Sequence, residues 1–114
     1  MPSPATYNLV VPQATTFNFQ FYIQTDGTRW NLTNYTATMT VRPFAGATTT
    51  TLVGTNTNGA IAIDAPNGQL TITYSAVQTD LPPSTYEYDI VLNSGGTITR
   101  ILEGKFIVTA GVTV

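Results

Sequence analysis

Cysteine and histidine are both missing from this 114-residue sequence. Without cysteine there are no disulfides, no thiolate metal sites and no thiol nucleophile, which fits a reducing compartment. Without histidine the commonest general base is gone, and a Ser-His-Asp arrangement is impossible. Charge is scarce as well. Only Arg29, Arg42, Arg100, Lys105, Asp26, Asp64, Asp80, Asp89, Glu87 and Glu103 are ionised, 9% of the chain, against about 25% in an average soluble domain. Four basic residues and a net charge of −2 leave no footprint for counterion-release binding to nucleic acid. No apolar run approaches the roughly 20 residues of a membrane span. The opening Met-Pro-Ser-Pro-Ala has neither the basic start nor the apolar stretch of a signal peptide, so no export leader is expected.

Threonine fills the space that charge leaves, at 23 residues. It is β-branched and favours strands, and its hydroxyl keeps an exposed strand face wet without net charge. Such a surface suits a protein fixed in an assembly or displayed outside a cell.

The dominant period is two. Phe17, Phe19, Phe21 and Ile23 alternate with Asn18, Gln20, Tyr22 and Gln24, giving one apolar strand face. Asp26-Gly27-Thr28 reads as a turn. Trp30 and Leu32 lead into Tyr35, Ala37, Met39 and Val41, and Pro43 ends that strand or places it at an edge. A weak strand is expected around Thr50–Val53, then a mobile polar loop from Gly54 to Gly59. Ala60–Asp64 and Gln69–Ser75 read as hairpin arms joined by Ala65-Pro66-Asn67-Gly68. Ser75–Leu81 is the one candidate for a helical turn, stopped by Pro82-Pro83. Tyr86, Tyr88, Ile90 and Leu92 form a further apolar face opposite Glu87, Asp89, Val91 and Asn93. Ser94-Gly95-Gly96 turns into Thr97–Leu102, and Gly104 is expected to break or bulge the strand before Phe106 and Val108 resume it.

Seven to eight short strands with one-sided faces indicate an all-β, antiparallel, Ig-like sandwich. Ig-like means architecture alone, since the Cys-Trp-Cys pattern of antibody domains is absent. One domain of this length buries enough surface to fold unaided. The expected division is an N-terminal arm or first strand over 1–14, the sandwich over 15–109 and a tail over 110–114. Pro2, Pro4 and the extended Ala5–Pro12 stretch are candidates to lie along a neighbour, as is Ala110–Val114.

The search for chemistry yields no catalytic, cofactor-binding or metal site. Glu87 and Asp89 share a strand face, which reads as a solvated face rather than an acid pair. Asp26–Thr28 and Asp64–Asn67 lack the repeated acidic spacing of a calcium loop and read as turn chemistry. Asn31-Leu32-Thr33 and Asn34-Tyr35-Thr36 are formal glycosylation sequons that a Thr- and Asn-rich chain produces by chance. Gly54, Gly59, Gly68, Gly95, Gly96 and Gly104 open no strand-to-helix phosphate loop. Trp30 with Tyr35, Tyr86 and Tyr88 is a candidate sugar- or base-binding patch. The alternative has Trp30 plugging the core and the tyrosine hydroxyls at its rim. Arg100 and Glu103 are expected to pair with each other or with Glu87.

Three further segments carry a family resemblance. Tyr7-Asn8-Leu9 followed by Gln13-Ala14-Thr15-Thr16-Phe17 looks like Y-N-L then Q-G-x-T-F, with Ala14 where glycine is typical. Asn31-Leu32-Thr33-Asn34-Tyr35-Thr36-Ala37 through Val41-Arg42 looks like D-L-T-G-Y-T-A-x-x-x-V-R, with Asn31 and Asn34 in place of Asp and Gly. Tyr86-Glu87-Tyr88-Asp89-Ile90 and Thr99-Arg100-Ile101-Leu102-Glu103-Gly104 look like Y-x-Y-D-(I/V/L) and T-R-(I/V/L)-L-E-G, and Val108–Thr113 also fits. In this order the set resembles a family of small virion proteins of tailed bacteriophages, cyanophages among them, that have an Ig-like sandwich. The resemblance implies a non-enzymatic structural protein of the virion, assembled in the bacterial cytoplasm. It would be a capsid decoration or cement protein bound to the major capsid protein in multiple copies or as a homo-oligomer. The alternatives are a tail, neck or baseplate component and, from another class, a carbohydrate-binding or adhesin-like module. No nucleic acid, membrane or cofactor is implied.

Overall fold

Eleven strands build the computed structural model, which describes residues 5–25, 27–44, 46–47 and 49–110. They are β1 (Ala5–Thr6), β2 (Leu9–Pro12), β3 (Phe17–Tyr22), β4 (Gln24–Thr25), β5 (Thr28–Arg29), β6 (Thr36–Arg42), β7 (Leu52–Thr55), β8 (Ile61–Asp64), β9 (Gln69–Tyr74), β10 (Ser84–Ser94) and β11 (Thr97–Thr109). Three of them, β1, β4 and β5, are only two residues long. They are what lifts the count above the seven or eight expected.

One sheet runs β1-β11-β10-β6-β7, with β2 also on β11; the second runs β3-β9-β8. β1 and β2 lie parallel to β11, and the other pairs are antiparallel. The chain order within these two sheets is that of an immunoglobulin-like sandwich. The β3-β9-β8 sheet faces one built on the β6, β10 and β11 strands, with the first segment transferred to the far edge of β11. The fold is therefore an all-β Ig-like sandwich.

The period-two faces close on each other. Met39, Val41, Ile90, Leu92, Leu70, Ile72, Tyr74 and Phe106 are all buried, and they alternate with outward residues along their strands as a two-layer core requires. Phe106 meets Phe17 and Tyr74 edge-on, with centroids 6.0 and 6.5 Å apart, the T-shaped arrangement that ring quadrupoles favour.

Several local expectations need correcting. Residues 5–12 are no free arm: Leu9 and Val11 are buried, and Leu9–Pro12 pairs with Phe106–Thr109. Residues 1–4 and 111–114 of the expected arm and tail, and Asp26 of the expected turn, lie outside the described residues. Gly54 belongs to β7 rather than to a loop, and a Cβ there would stand 2.6 Å from the Tyr74 hydroxyl. The loop after it is tied down. Asn58 Oδ1 accepts from the N–H groups of Thr55 and Ala60, and its Nδ2 donates to Val53 O. Residues 75–81 do make a single turn, with Thr79 N–H donating to Ser75 O at 3.0 Å, but they are not the one place for it, since a short 3-10 turn also forms at Ala65–Asn67. The bulge lies at Ile101, where the β10–β11 register shifts, not at Gly104, which stays in register opposite Tyr88.

Candidate interaction surfaces

Gly104 has a different task. A Cβ on it would collide with the carbonyl of Tyr7, where β1 passes into β2. Several side chains fasten the crossing. The Tyr88 hydroxyl donates to Tyr7 O at 2.5 Å, Tyr7 N–H donates to Glu103 O at 2.9 Å, and Asn8 Oδ1 accepts from Lys105 N–H at 3.1 Å. Asn8 thus substitutes a side-chain acceptor for a ladder carbonyl where the strand is interrupted. Burial, with Tyr7 nearby, pushes the Tyr88 hydroxyl well above the ordinary tyrosine pKa, so it stays a proton donor to that carbonyl.

Two residues further back, the Tyr86 hydroxyl donates to Pro82 O at 2.7 Å. This is the corner that a tyrosine near the start of this strand makes in many such sandwiches. Tyr88, Tyr7, Asn8 and Gly104 therefore meet around one strand crossing, although their segments are far apart in sequence.

The two substituted glycine positions also become interpretable. Ala14 has φ 60° and Asn34 φ 69°, the two positive-φ non-glycine residues among those described. Both turns are locked. Ala14 N–H donates to Thr79 O at 3.3 Å. The Thr79 hydroxyl, fully buried, accepts from Thr15 N–H at 3.0 Å and donates to Thr15 O at 2.5 Å. Asn31 Oδ1 accepts from the N–H and hydroxyl of Thr33, an Asx turn that brings Leu32 into the core. Sequence patterning gives no signal for the Thr79 staple, because a lone buried threonine looks like any other in so Thr-rich a chain.

The charges gather on one face. Arg42, Glu87, Asp89, Arg100, Glu103 and Lys105, six of the chain's ten charged residues, line a groove of about 570 Å³ on the outer side of β6, β10 and β11. Glu87 and Asp89 do share this face. Their partners differ from those expected: Arg100 Nε bonds Asp89 Oδ2 at 3.0 Å, and Lys105 pairs with Glu87. The register explains it, since Glu87 stands opposite both Lys105 and Arg42. The Ile101 bulge shifts Arg100 into reach of Asp89, whereas Asp89 and Glu103 face each other as like charges. Arg42 turns its guanidinium to Ala47 O at 2.8 Å.

The opposite face, on β3, β9 and β8, is uncharged through most of its breadth. Asn18 and Gln20 donate across to the hydroxyls of Thr73 and Thr71. Near its end the Arg29 guanidinium covers the ring of Tyr22 at 3.8 Å. Asp64 accepts from Asn67 Nδ2 within its turn.

The four rings of the candidate glycan patch do not assemble on the surface. Tyr86 and Tyr88 are in the core, and Trp30 and Tyr35 are half-buried at its margin. Trp30 is a flank rather than the plug: it follows β5 in the short β4–β5 hairpin, held at the sandwich edge by Trp30 N–H to Ile23 O, 2.9 Å. The central volume falls to Tyr74, Phe106 and Met39.

Among known proteins, no family model matches this chain and no curated protein does. Among solved structures, the chain is similar to the NK cell receptor Nkp44, described as a triggering partner in natural cytotoxicity. The two are 14% identical, the match covers 96% of this chain and all of that one, and the TM-score is 0.42.

Proposed function

We propose that this chain is a non-enzymatic structural protein of a tailed-phage virion, attached to the assembled shell as a decoration or cement subunit. The observation that carries the reading is the ordered motif set, whose members have definite tasks in this sandwich. Tyr7-Asn8-Leu9, the Tyr86–Ile90 run and the Thr99–Gly104 run meet at the crossing beside Gly104. The positions where the phage family carries glycine, 14 and 34, are left-handed here. That these positions have structural tasks supports the resemblance, and the phage family's role is the reading it favours.

The major capsid protein is the partner this reading assigns, and the groove face of β6, β10 and β11 is the surface assigned to it. In a chain with so little charge, six ionised side chains on one sheet give that face the electrostatic pattern that steers and registers a docked partner. Repeated copies on a shell would add affinity through avidity.

Quantitative mass spectrometry of purified particles tests the reading. Hundreds of copies per particle are expected. Six to a few dozen would assign the chain to the tail, neck or baseplate, and none would remove it from the virion.

A further inference from the structure

Val53 and Thr55 turn their backbone groups away from β6. Asn56 N–H donates to Ala37 O at 3.3 Å. Along an antiparallel pair, bonded and non-bonded residues alternate, so Leu52, Gly54 and Asn56 face β6 and the two between them face outward. One side chain serves both. Asn58 Nδ2 donates to Val53 O at 3.2 Å, and its Oδ1 accepts from Thr55 N–H at 3.0 Å, as a peptide group of an added strand would. The same oxygen accepts from Ala60 N–H at 3.0 Å, and Asn58 N–H donates to the Thr55 hydroxyl at 3.0 Å. Ala60 is buried beside Gly54. The Asn58 carboxamide thus latches the β7–β8 loop to the strand edge and to the core.

Asn58 is followed by glycine, as is Asn67, and every other asparagine precedes a residue with a side chain. Glycine has no Cβ to hold its N–H away from the preceding side chain, so at these two steps the backbone nitrogen can reach the asparagine Cγ. The two steps are not equally free. Gly68 N–H donates to Ala65 O at 3.3 Å, and Gly68 O accepts from Ile23 N–H at 2.7 Å. A Cβ on Gly68 would stand 2.5 Å from Trp30 O. Rotating residues 67 and 68 would therefore pull on the β4–β5 hairpin. Asn58 and Gly59 are both exposed, and a Cβ on Gly59 would meet nothing within 4 Å. There the side chain has only to leave its own hydrogen bonds.

We propose that Asn58–Gly59 is a self-modification site, and that its conversion releases the latch on β7. Gly59 N attacks Asn58 Cγ, the Cγ–Nδ2 bond breaks, and ammonia leaves with the proton of the Gly59 N–H. Water then opens the five-membered imide at either carbonyl, giving aspartate or isoaspartate. Either product loses the Nδ2 donor and sets a carboxylate oxygen against Val53 O, two acceptors with no proton between them. Isoaspartate also adds a methylene to the backbone, so one side-chain oxygen no longer reaches both Thr55 N–H and Ala60 N–H. While latched, the amide is held away from the attacking nitrogen. Each opening of the loop exposes it to an irreversible step, and the product holds the loop less firmly. The site does not depend on where in a particle the protein sits.

Peptide mapping of the full chain, held at mildly alkaline pH and sampled over time, tests this. In the folded protein acid should accumulate at Asn58 several-fold faster than at Asn67. In guanidinium chloride the two should convert at similar rates, both faster than when folded. The converted fraction, separated by ion exchange, should melt at a lower temperature and exchange its Thr55 and Ala60 amides faster. Thr55→Val keeps the β-branched shape but removes the hydroxyl that holds Asn58 N–H, and it should speed conversion at Asn58 while leaving Asn67 unchanged. If that variant does not fold, the unsubstituted chain decides alone. Asn67 converting as fast as Asn58 in the folded chain would overturn the proposal. So would an Asn58 that stays intact there while both convert in guanidinium chloride, a converted fraction that melts as the original does, or a folded Thr55→Val that converts no faster.

Discussion

Ala14 is the residue that most plainly resists its place. An L-residue with a Cβ at φ 60° carries a strain of about 1–2 kcal/mol, and Ala lacks the side-chain amide that lets Asn34 occupy such a conformation. Ala14→Gly should therefore stabilise the fold by up to about 1 kcal/mol after the entropy that glycine adds to the unfolded chain. Asn34→Gly should change little. Urea midpoints check both, and a destabilised Ala14→Gly would contradict the strain assigned there. Tyr74 is the second such residue. Its hydroxyl is buried with no hydrogen-bond partner among the described residues, beside the backbone of Gly54. An orphaned buried hydroxyl costs about 1–3 kcal/mol. Tyr74→Phe should thus hold or raise the melting temperature, and it should partly rescue the destabilised Gly54→Ala. Additive effects in that double mutant would show that the two sites do not touch.

Among the elements, β10 is central. It is flanked by β11 and β6 along most of its length, and Ile90 is fully buried at its middle. Ile90→Asp should abolish cooperative melting, because an unpaired buried charge costs more than a domain's margin of stability. A soluble variant with a sharp thermal transition would refute that placement. The ion pairs on the outer side of the same strand are a different matter. Arg100 and Asp89 are partly exposed, and such pairs contribute less than about 1 kcal/mol. A double-mutant cycle on them should return a coupling of that size in stability, but a larger effect on shell binding.

The strands themselves were legible because alternation is local: Phe17–Tyr22, Thr36–Arg42 and Tyr86–Leu92 advertise their buried faces in sequence. What escaped depends on distant partners. The Ile101 bulge, the Asp89–Arg100 pairing it creates, the collision that reserves position 104 for glycine and the Thr79 staple all arise from register between segments far apart in the chain. Trp30 misled for the same reason, since size marks a core candidate but only the β4–β5 hairpin decides that it flanks the core.

For the molecule as a whole, burial sets the response to alkali. Tyr74 and Tyr88 are held protonated by desolvation, with pKa values raised well above the ordinary 10. The unfolded chain therefore ionises them first. Their contribution is intact below about pH 10 and is lost as pH climbs beyond it. Melting temperatures should hold to that point and then fall, and phenolate absorbance should show two tyrosines titrating only as the fold collapses. Free titration of every tyrosine in the folded protein would contradict the burial.

The virion role is the central claim, and an electron cryomicroscopy map of the native particle tests it most directly. The account predicts density for a sandwich of 41 × 26 × 25 Å repeated across the shell, seated with the β6-β10-β11 face toward the major capsid protein. A particle whose shell carries no such density would contradict it.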